Sequence, residues 1–175
     1  IMDIATGTGD LAIAMAKRVD RTQILGIDLS EEMLAVARRK VQKQGLEERI
    51  MLEKGDAENL ANVEDGVMDA ATVAFGVRNF EHQREALTEI KRTIRKGGHL
   101  IVLEFSNPKF ALVRWCYRLY SHHILPAIGR LVSKHATAYT YLPTSIDQFA
   151  SPENFSALLE EVGFDHIERK SLSMG

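Results

Sequence analysis

The residues that could do chemistry begin with a glycine turn. Asp3-Ile4-Ala5-Thr6-Gly7-Thr8-Gly9-Asp10 lies between an apolar run and an amphipathic one. Glycines there let a ligand approach the backbone closely, and a following helix offers N–H groups to an anionic part of it. Asp28 closes the next apolar run, 19 residues after Gly9. A carboxylate at that point can accept hydrogen bonds from both hydroxyls of a ribose. Gly7-x-Gly9-x-x-Ala12, with its acid at this distance, also fits the dinucleotide fingerprint. The pattern predicts a nucleoside cofactor and leaves its identity open.

Two features bear on that identity. Asp3 and Asp10 bracket the loop with negative charge, which opposes a pyrophosphate and suits the sulfonium and ammonium groups of S-adenosyl-L-methionine. Gly55-Asp56-Ala57 follows the third apolar run, and an Asp there can accept from an adenine amino group. By itself Asp56 reads better as a solvated turn acid. With the loop and Asp28 it completes a set, so Asp3, Gly7, Thr8, Gly9, Asp28, Asp56 and Ala57 are the expected cofactor-binding residues.

The elements that must position these residues alternate in type. Strands are expected at 1–5, 23–28, 49–53, 69–75 and 100–105. Helices are expected from Asp10 to about Val19 and from Glu31 to about Gln44. The second has Ser30 as N-cap and Gly45 as its stop. Leu87, Ile90 and Ile94 carry helical spacing, and Lys96-Gly97-Gly98 is the expected terminator. Ser151-Pro152 opens a late helix with an apolar face of Phe155, Leu158, Leu159 and Val162, closed by Gly163. A last strand is expected at 166–171. This alternation predicts an α/β fold, a mostly parallel sheet with helices on both faces. Both ends read as cut into elements, and residues 1–175 read as one domain with a substrate-side insertion at about 107–148.

Composition bounds the function. The chain has 175 residues, 45% hydrophobic and 26% charged, with a net charge of −2. That balance gives no basic footprint for nucleic acid. The single cysteine, Cys116, excludes an internal disulfide and a cysteine metal site, and no His-Glu-x-x-His spacing occurs, so no metal is expected. A cytoplasmic setting is the natural expectation.

A second set of segments is more specific: Ala74-Phe75-Gly76-Val77-Arg78-Asn79-Phe80, Lys96-Gly97-Gly98 before Leu103-Glu104-Phe105-Ser106, Leu125-Pro126-x-Ile128-Gly129, and Tyr139-x-Tyr141-Leu142-x-x-Ser145-Ile146. With the glycine loop, these make nearly the whole chain resemble the ubiquinone/menaquinone biosynthesis C-methyltransferases, on the demethylmenaquinone methyltransferase side. The resemblance implies a Rossmann-like class I methyltransferase fold with a seven-stranded sheet. It implies methyl transfer from S-adenosyl-L-methionine to a ring carbon of a prenylated quinol. It places Thr8 on the methionine side, Asp28 on the ribose, and Asp56 and Ala57 near the adenine.

The chemistry then asks for in-line placement of a carbon nucleophile, a favoured phenolate, and an acceptor for the ring proton. Arg78 is expected near the mouth of the sheet. An arginine is essentially never deprotonated, so it stabilises phenolate charge or orients a water; a structural salt bridge is the alternative. His122 is the candidate proton acceptor, with His123 beside it, and Tyr141, with Tyr139, the candidate orienter of the quinol oxygen. The insertion is apolar and carries Arg114, Arg118, Arg130 and Lys134. It suits a prenyl chain and peripheral contact with a membrane, or else plain packing on the sheet. The competing functions are a class I methyltransferase for another small molecule, a non-catalytic cofactor-binding module and, more distantly, a nicotinamide oxidoreductase.

Overall fold

The computed structural model describes residues 1–105 and 149–172. The chain divides into two units, Ile1–Glu104 and Phe105–Gly175.

The first unit holds a five-stranded parallel sheet in the order β3-β2-β1-β4-β5. β1 is Met2–Ile4, β2 Ile24–Asp28, β3 Ile50–Lys54, β4 Met68–Ala74 and β5 Ile94–Leu103. Its strands are rich in Ile, Val and Leu, as buried parallel strands are. β1 lies at the centre, and all three of its residues are buried. Met2 pairs with Leu25 on one side and with Ala71 on the other. The chain steps outward from β1 through β2 to β3, then returns to β1's other edge for β4 and β5. The strand order therefore reverses between β1 and β4, and ligands bind at the carboxyl ends of such a crevice.

Three helices cover this sheet. α1 (Asp10–Arg18) buries Ala12, Ile13 and Ala16; α2 (Glu31–Lys43) buries Leu34, Ala37 and Val41. Both contribute to one core cluster with Ile24 and Ile50. α3 (Gln83–Thr93) buries Ala86, Leu87 and Ile90. The predicted cap of α2 forms: the Ser30 hydroxyl accepts from the Met33 backbone N–H at 3.2 Å. Gly45 follows α2 with a φ of 63°, as its role in stopping that helix requires.

One boundary differs from expectation. Ile94 leaves α3 and pairs with Met68 as the first residue of β5. Pairing resumes at His99 opposite Ala70, so residues 95–98 loop out against a single residue of β4, with Gly97 at a φ of 77°. The Lys96-Gly97-Gly98 turn is real, but it interrupts β5 rather than ending α3.

In the second unit, the described residues form α4 (Pro152–Val162). The Ser151 hydroxyl caps it by accepting from the Asn154 N–H at 3.2 Å. Gly163 ends it at a φ of 93°, and the Phe164 N–H reaches back to the Leu159 carbonyl at 2.9 Å. The strand expected at 166–171 does not form. His166 takes a left-handed φ of 52°, which breaks the extended run, and Arg169 turns back to Glu153 of α4 at 2.7 Å.

Candidate functional site

The loops at the carboxyl ends of β1, β2 and β3 converge on Asp28. Its Oδ2 accepts from the Gly7 N–H at 2.8 Å, and its Oδ1 accepts from the Ser30 N–H at 2.9 Å. Its own carbonyl accepts from the Gly55 N–H at 3.1 Å. One residue thus ties together the glycine loop, the start of α2 and the loop that carries Asp56. A carboxylate has about four acceptor positions, so two remain for a ligand's hydroxyls after both N–H groups are served. Gly7 and Gly9 stand at φ values of 57° and 76°, which only glycine adopts readily. Ala5 and Phe75 also hold left-handed φ, 54° and 58°, just beyond β1 and β4. Non-glycine residues in that region gather at functional sites.

The electrostatics of the loop correct the sequence argument. Asp3 is not a bare surface charge; it is 1% exposed. The hydroxyls of Thr72 and Thr6 donate to its carboxylate at 2.5 and 2.7 Å. Burial pushes its carboxyl above the ordinary range, against the pull of those two hydroxyls, and nearby Asp28 adds to the rise. Asp10 is exposed, and its charge is matched. Lys40 of α2 donates to both of its oxygens, at 2.9 and 2.8 Å, and to the Thr8 hydroxyl at 2.9 Å. The Lys40 ammonium, then the Thr8 hydroxyl, hold the Asp10 carboxyl below its usual range. The Thr8 hydroxyl is thus engaged by Asp10 and Lys40. Asp28, by contrast, has as its carboxylate's hydrogen-bond partners among the described residues the backbone N–H groups of Gly7 and Ser30.

Asp56 is exposed, and its Oδ1 accepts from the Glu58 N–H at 3.0 Å; Ala57 is buried. Arg92 of α3 staples this loop by donating to the carbonyls of Leu60 and Val63 at 2.9 and 2.8 Å. A second tie is titratable. Glu58 accepts from the His82 backbone N–H at 2.7 Å and meets its Nδ1 at 2.8 Å. The Glu58 hydrogen bond and charge raise His82 above its ordinary 6.5. The pair's contribution to stability is thus present below pH 6.5 and is lost as pH rises through the raised value. Glu58→Gln is expected to move the His82 imidazole titration downward, followed by NMR; an unmoved midpoint would refute the coupling.

Arg78 lies in the single helical turn Val77–Asn79 that follows β4. Its guanidinium Nη1 is paired with Oε1 of Glu104, the residue just after β5. The two side chains are 9% and 6% exposed. Glu104 Oε2 also accepts from the Arg78 backbone N–H at 3.4 Å. The salt-bridge alternative for Arg78 is therefore present, and its partner is one the sequence reading did not single out. Lys40, Thr72 and Met33 were also missed. A methyl built on Gly7 would lie 3.6 Å from Met33 Cε, and Leu29 beside Asp28 is 62% exposed, which leaves apolar surface at the crevice. Tyr141, His122 and the segment 107–148 lie outside the described residues. Among the described residues no cluster of three His, Cys, Asp or Glu could hold a metal, and no helix is long and apolar enough to cross a membrane.

The arrangement fits S-adenosyl-L-methionine. The carboxylate has open acceptor sites for the ribose, and exposed apolar side chains stand beside it for a base. Lys40, which reaches the glycine loop, is engaged by Asp10 and the Thr8 hydroxyl rather than held open for a pyrophosphate.

The sequence profile of the ubiE/COQ5 methyltransferase family matches residues 1–175. A demethylmenaquinone methyltransferase of Bacteroides fragilis is 40% identical over all of this chain, which spans 71% of that protein. The ubiquinone/menaquinone biosynthesis C-methyltransferase UbiE of Syntrophotalea carbinolica is 42% identical, again over the whole chain and 72% of its own length. Among solved structures, a putative methyltransferase from Bacillus halodurans superposes with a TM-score of 0.69 at 24% identity, over 95% of this chain. This chain spans 63% of that structure, under two thirds of its length. That likeness supports the fold.

Proposed function

The chain belongs to the ubiE/COQ5 methyltransferase family, and from that footing we propose that it transfers the methyl group of S-adenosyl-L-methionine to a ring carbon of a prenylated quinol. The observation that carries the reading is the convergence of the Gly7 and Gly55 loops on Asp28, with acceptor sites open on its carboxylate. The names of the relatives supply the acceptor class.

When bound, S-adenosyl-L-methionine supplies a methyl already activated by its sulfonium, so the chain's tasks are placement and proton handling. Asp28 holds the ribose. Asp56 and the Ala57 backbone hold the adenine. Gly7, Thr8 and Gly9 present backbone to the methionine end, and α1, which has no side-chain cap, leaves its first N–H groups for a carboxylate. Asp3 supports the loop from below. Methyl transfer would form a carbon–carbon bond at the ring as the carbon–sulfur bond of the sulfonium breaks and its electron pair stays on sulfur, and it requires the acceptor carbon in line at about 3–3.5 Å. Ionisation of the neighbouring phenol makes that carbon nucleophilic, and Arg78, at the mouth of the crevice, favours the phenolate. His122 takes the ring proton afterwards, and Tyr141 orients the quinol oxygen. We take residues 1–175 as one catalytic domain. Its 107–148 insertion would receive the prenyl chain and touch the membrane surface peripherally.

The test is single-turnover transfer from labelled S-adenosyl-L-methionine to reduced demethylmenaquinol in detergent, with Arg78→Ala alongside. Label is expected on a ring carbon. The variant should transfer on the order of tenfold to a hundredfold more slowly, the worth of one charged hydrogen bond, with cofactor affinity unchanged. Cofactor binding with no label on any quinol would overturn the acceptor assignment.

A further inference from the structure

We propose that Glu104 is a positioning residue for this reaction: its carboxylate, fixed at the end of β5, aims the Arg78 guanidinium and sets the net charge that an acceptor phenol meets. The inference rests on the quinol methyl-transfer reading and adds to it a residue and a task. One carboxylate grips the same arginine twice, Oε1 on the guanidinium and Oε2 on the backbone N–H. Such a grip fixes both where the chain turns and where the side chain points.

The surroundings leave the turn little freedom. Val77 is fully buried, the Asn79 N–H donates to the Gly76 carbonyl at 2.9 Å, and the Gln83 amide donates to the Val77 carbonyl at 3.3 Å. The Phe75 N–H donates to the Leu103 carbonyl at 2.8 Å, so the ends of β4 and β5 are laced together one residue before Glu104. β5 thus carries the aim of a residue that belongs to the β4 loop.

The charge follows the same geometry. A buried guanidinium alone would draw a phenolate strongly but would be costly to bury; the Glu104 carboxylate offsets its charge before the acceptor ionises. Phenolate formation then shares a cation already held in place, with little reorganisation. Removing the Glu104 charge has two separable effects. The guanidinium loses its aim, which slows transfer. The unmatched positive charge also favours phenolate, which moves the acidic limb of the rate profile to lower pH.

The experiment measures kcat for methyl transfer to demethylmenaquinol across pH in five proteins: the unaltered enzyme, Glu104→Gln, Glu104→Asp, and Arg78→Ala with and without Glu104→Gln. For Glu104→Gln we expect kcat to fall about tenfold. Its acidic limb should shift down by about one pH unit. Its affinity for S-adenosyl-L-methionine should stay within about twofold, because the cofactor loop is untouched. Glu104→Asp restores the charge without the reach, so the limb should return while kcat stays low. With Arg78→Ala already present, adding Glu104→Gln should change kcat less than about twofold, since Glu104 acts through Arg78. An unmoved limb in Glu104→Gln, or losses that add in the double variant, overturns the proposal. Should Glu104→Gln fail to fold, Glu104→Asp and the double variant still decide it, because neither leaves a lone buried charge. If the unaltered enzyme labels no quinol, the functional reading falls first and this inference with it.

Discussion

Asp28→Ala is expected to weaken S-adenosyl-L-methionine binding by at least about a hundredfold. Two hydrogen bonds from ribose hydroxyls to a carboxylate are worth roughly 1.5–3 kcal/mol each, and about 3 kcal/mol is already a hundredfold in Kd. The structure adds a second loss. The same carboxylate receives the N–H groups of Gly7 and Ser30, so the alanine variant also frees the loop from the start of α2. A ligand must then order a loop that the native protein holds ready. Asp28→Asn separates the two contributions in part. Its single carbonyl oxygen can serve one of the N–H groups, while its amide faces the other donor. Titration calorimetry should therefore rank native, Asn and Ala in falling affinity. A Kd for Asp28→Ala within threefold of native would remove Asp28 from the cofactor site.

The second large effect is on folding. Gly9→Ala is expected to cost about 2–5 kcal/mol. Part is conformational: Gly9 stands at a φ of 76°, and an L-residue there costs roughly 1–2 kcal/mol. The rest is contact, since the new methyl would lie 3.0 Å from the Ala37 Cβ and 3.6 Å from its Cα. Those atoms belong to the buried face of α2 and can yield only if the helix shifts, an overpacking cost of about 1–3 kcal/mol. In a domain of this size the sum lowers Tm by roughly 10 °C. Gly45→Ala is the control. Its φ of 63° is just as left-handed, but a methyl there meets nothing within 4 Å. It should lose the conformational part alone. Equal losses at the two positions in thermal unfolding would show that contact with α2 contributes nothing.

Where the sequence was legible, the signals were local. Ser30 three residues before the Met33 N–H, Ser151 before Pro152, and Gly163 after Val162 each determine a helix end through atoms a few bonds away. The glycine loop and Asp28 were legible for the same reason: a fixed spacing within one strand-turn-helix-strand unit. The misreadings arose where distant residues decide. Ile94 fits the helical period of Leu87 and Ile90, yet a strand partner at Met68 takes it into the sheet. Asp10 reads as a bare charge until Lys40, 30 residues on, reaches it; Asp3 reads as part of the loop's surface until Thr72, 69 residues on, closes over it. Arg78 and Glu104 are 26 positions apart and become neighbours only because β4 and β5 are adjacent. Its aromatic, apolar and basic character marked 107–148 as distinctive, and that stretch lies outside the described residues.

The two turns that border the crevice meet at two small residues, Ala5 and Gly76. A methyl on Gly76 would stand 2.6 Å from the Ala5 Cβ and 3.2 Å from Val73 Cγ1, while Ala5 itself is held at a left-handed φ. Neither turn can give way without abandoning its own backbone state. Positions 5 and 76 are therefore a single heritable unit although 71 residues separate them. A lineage that gains bulk at 76 must first reach glycine or a new turn at 5, since a methyl at 76 would overlap the Ala5 side chain. Directed evolution of acceptor range would meet the same ordering, and libraries that vary the two positions together would recover variants that libraries varying either alone cannot.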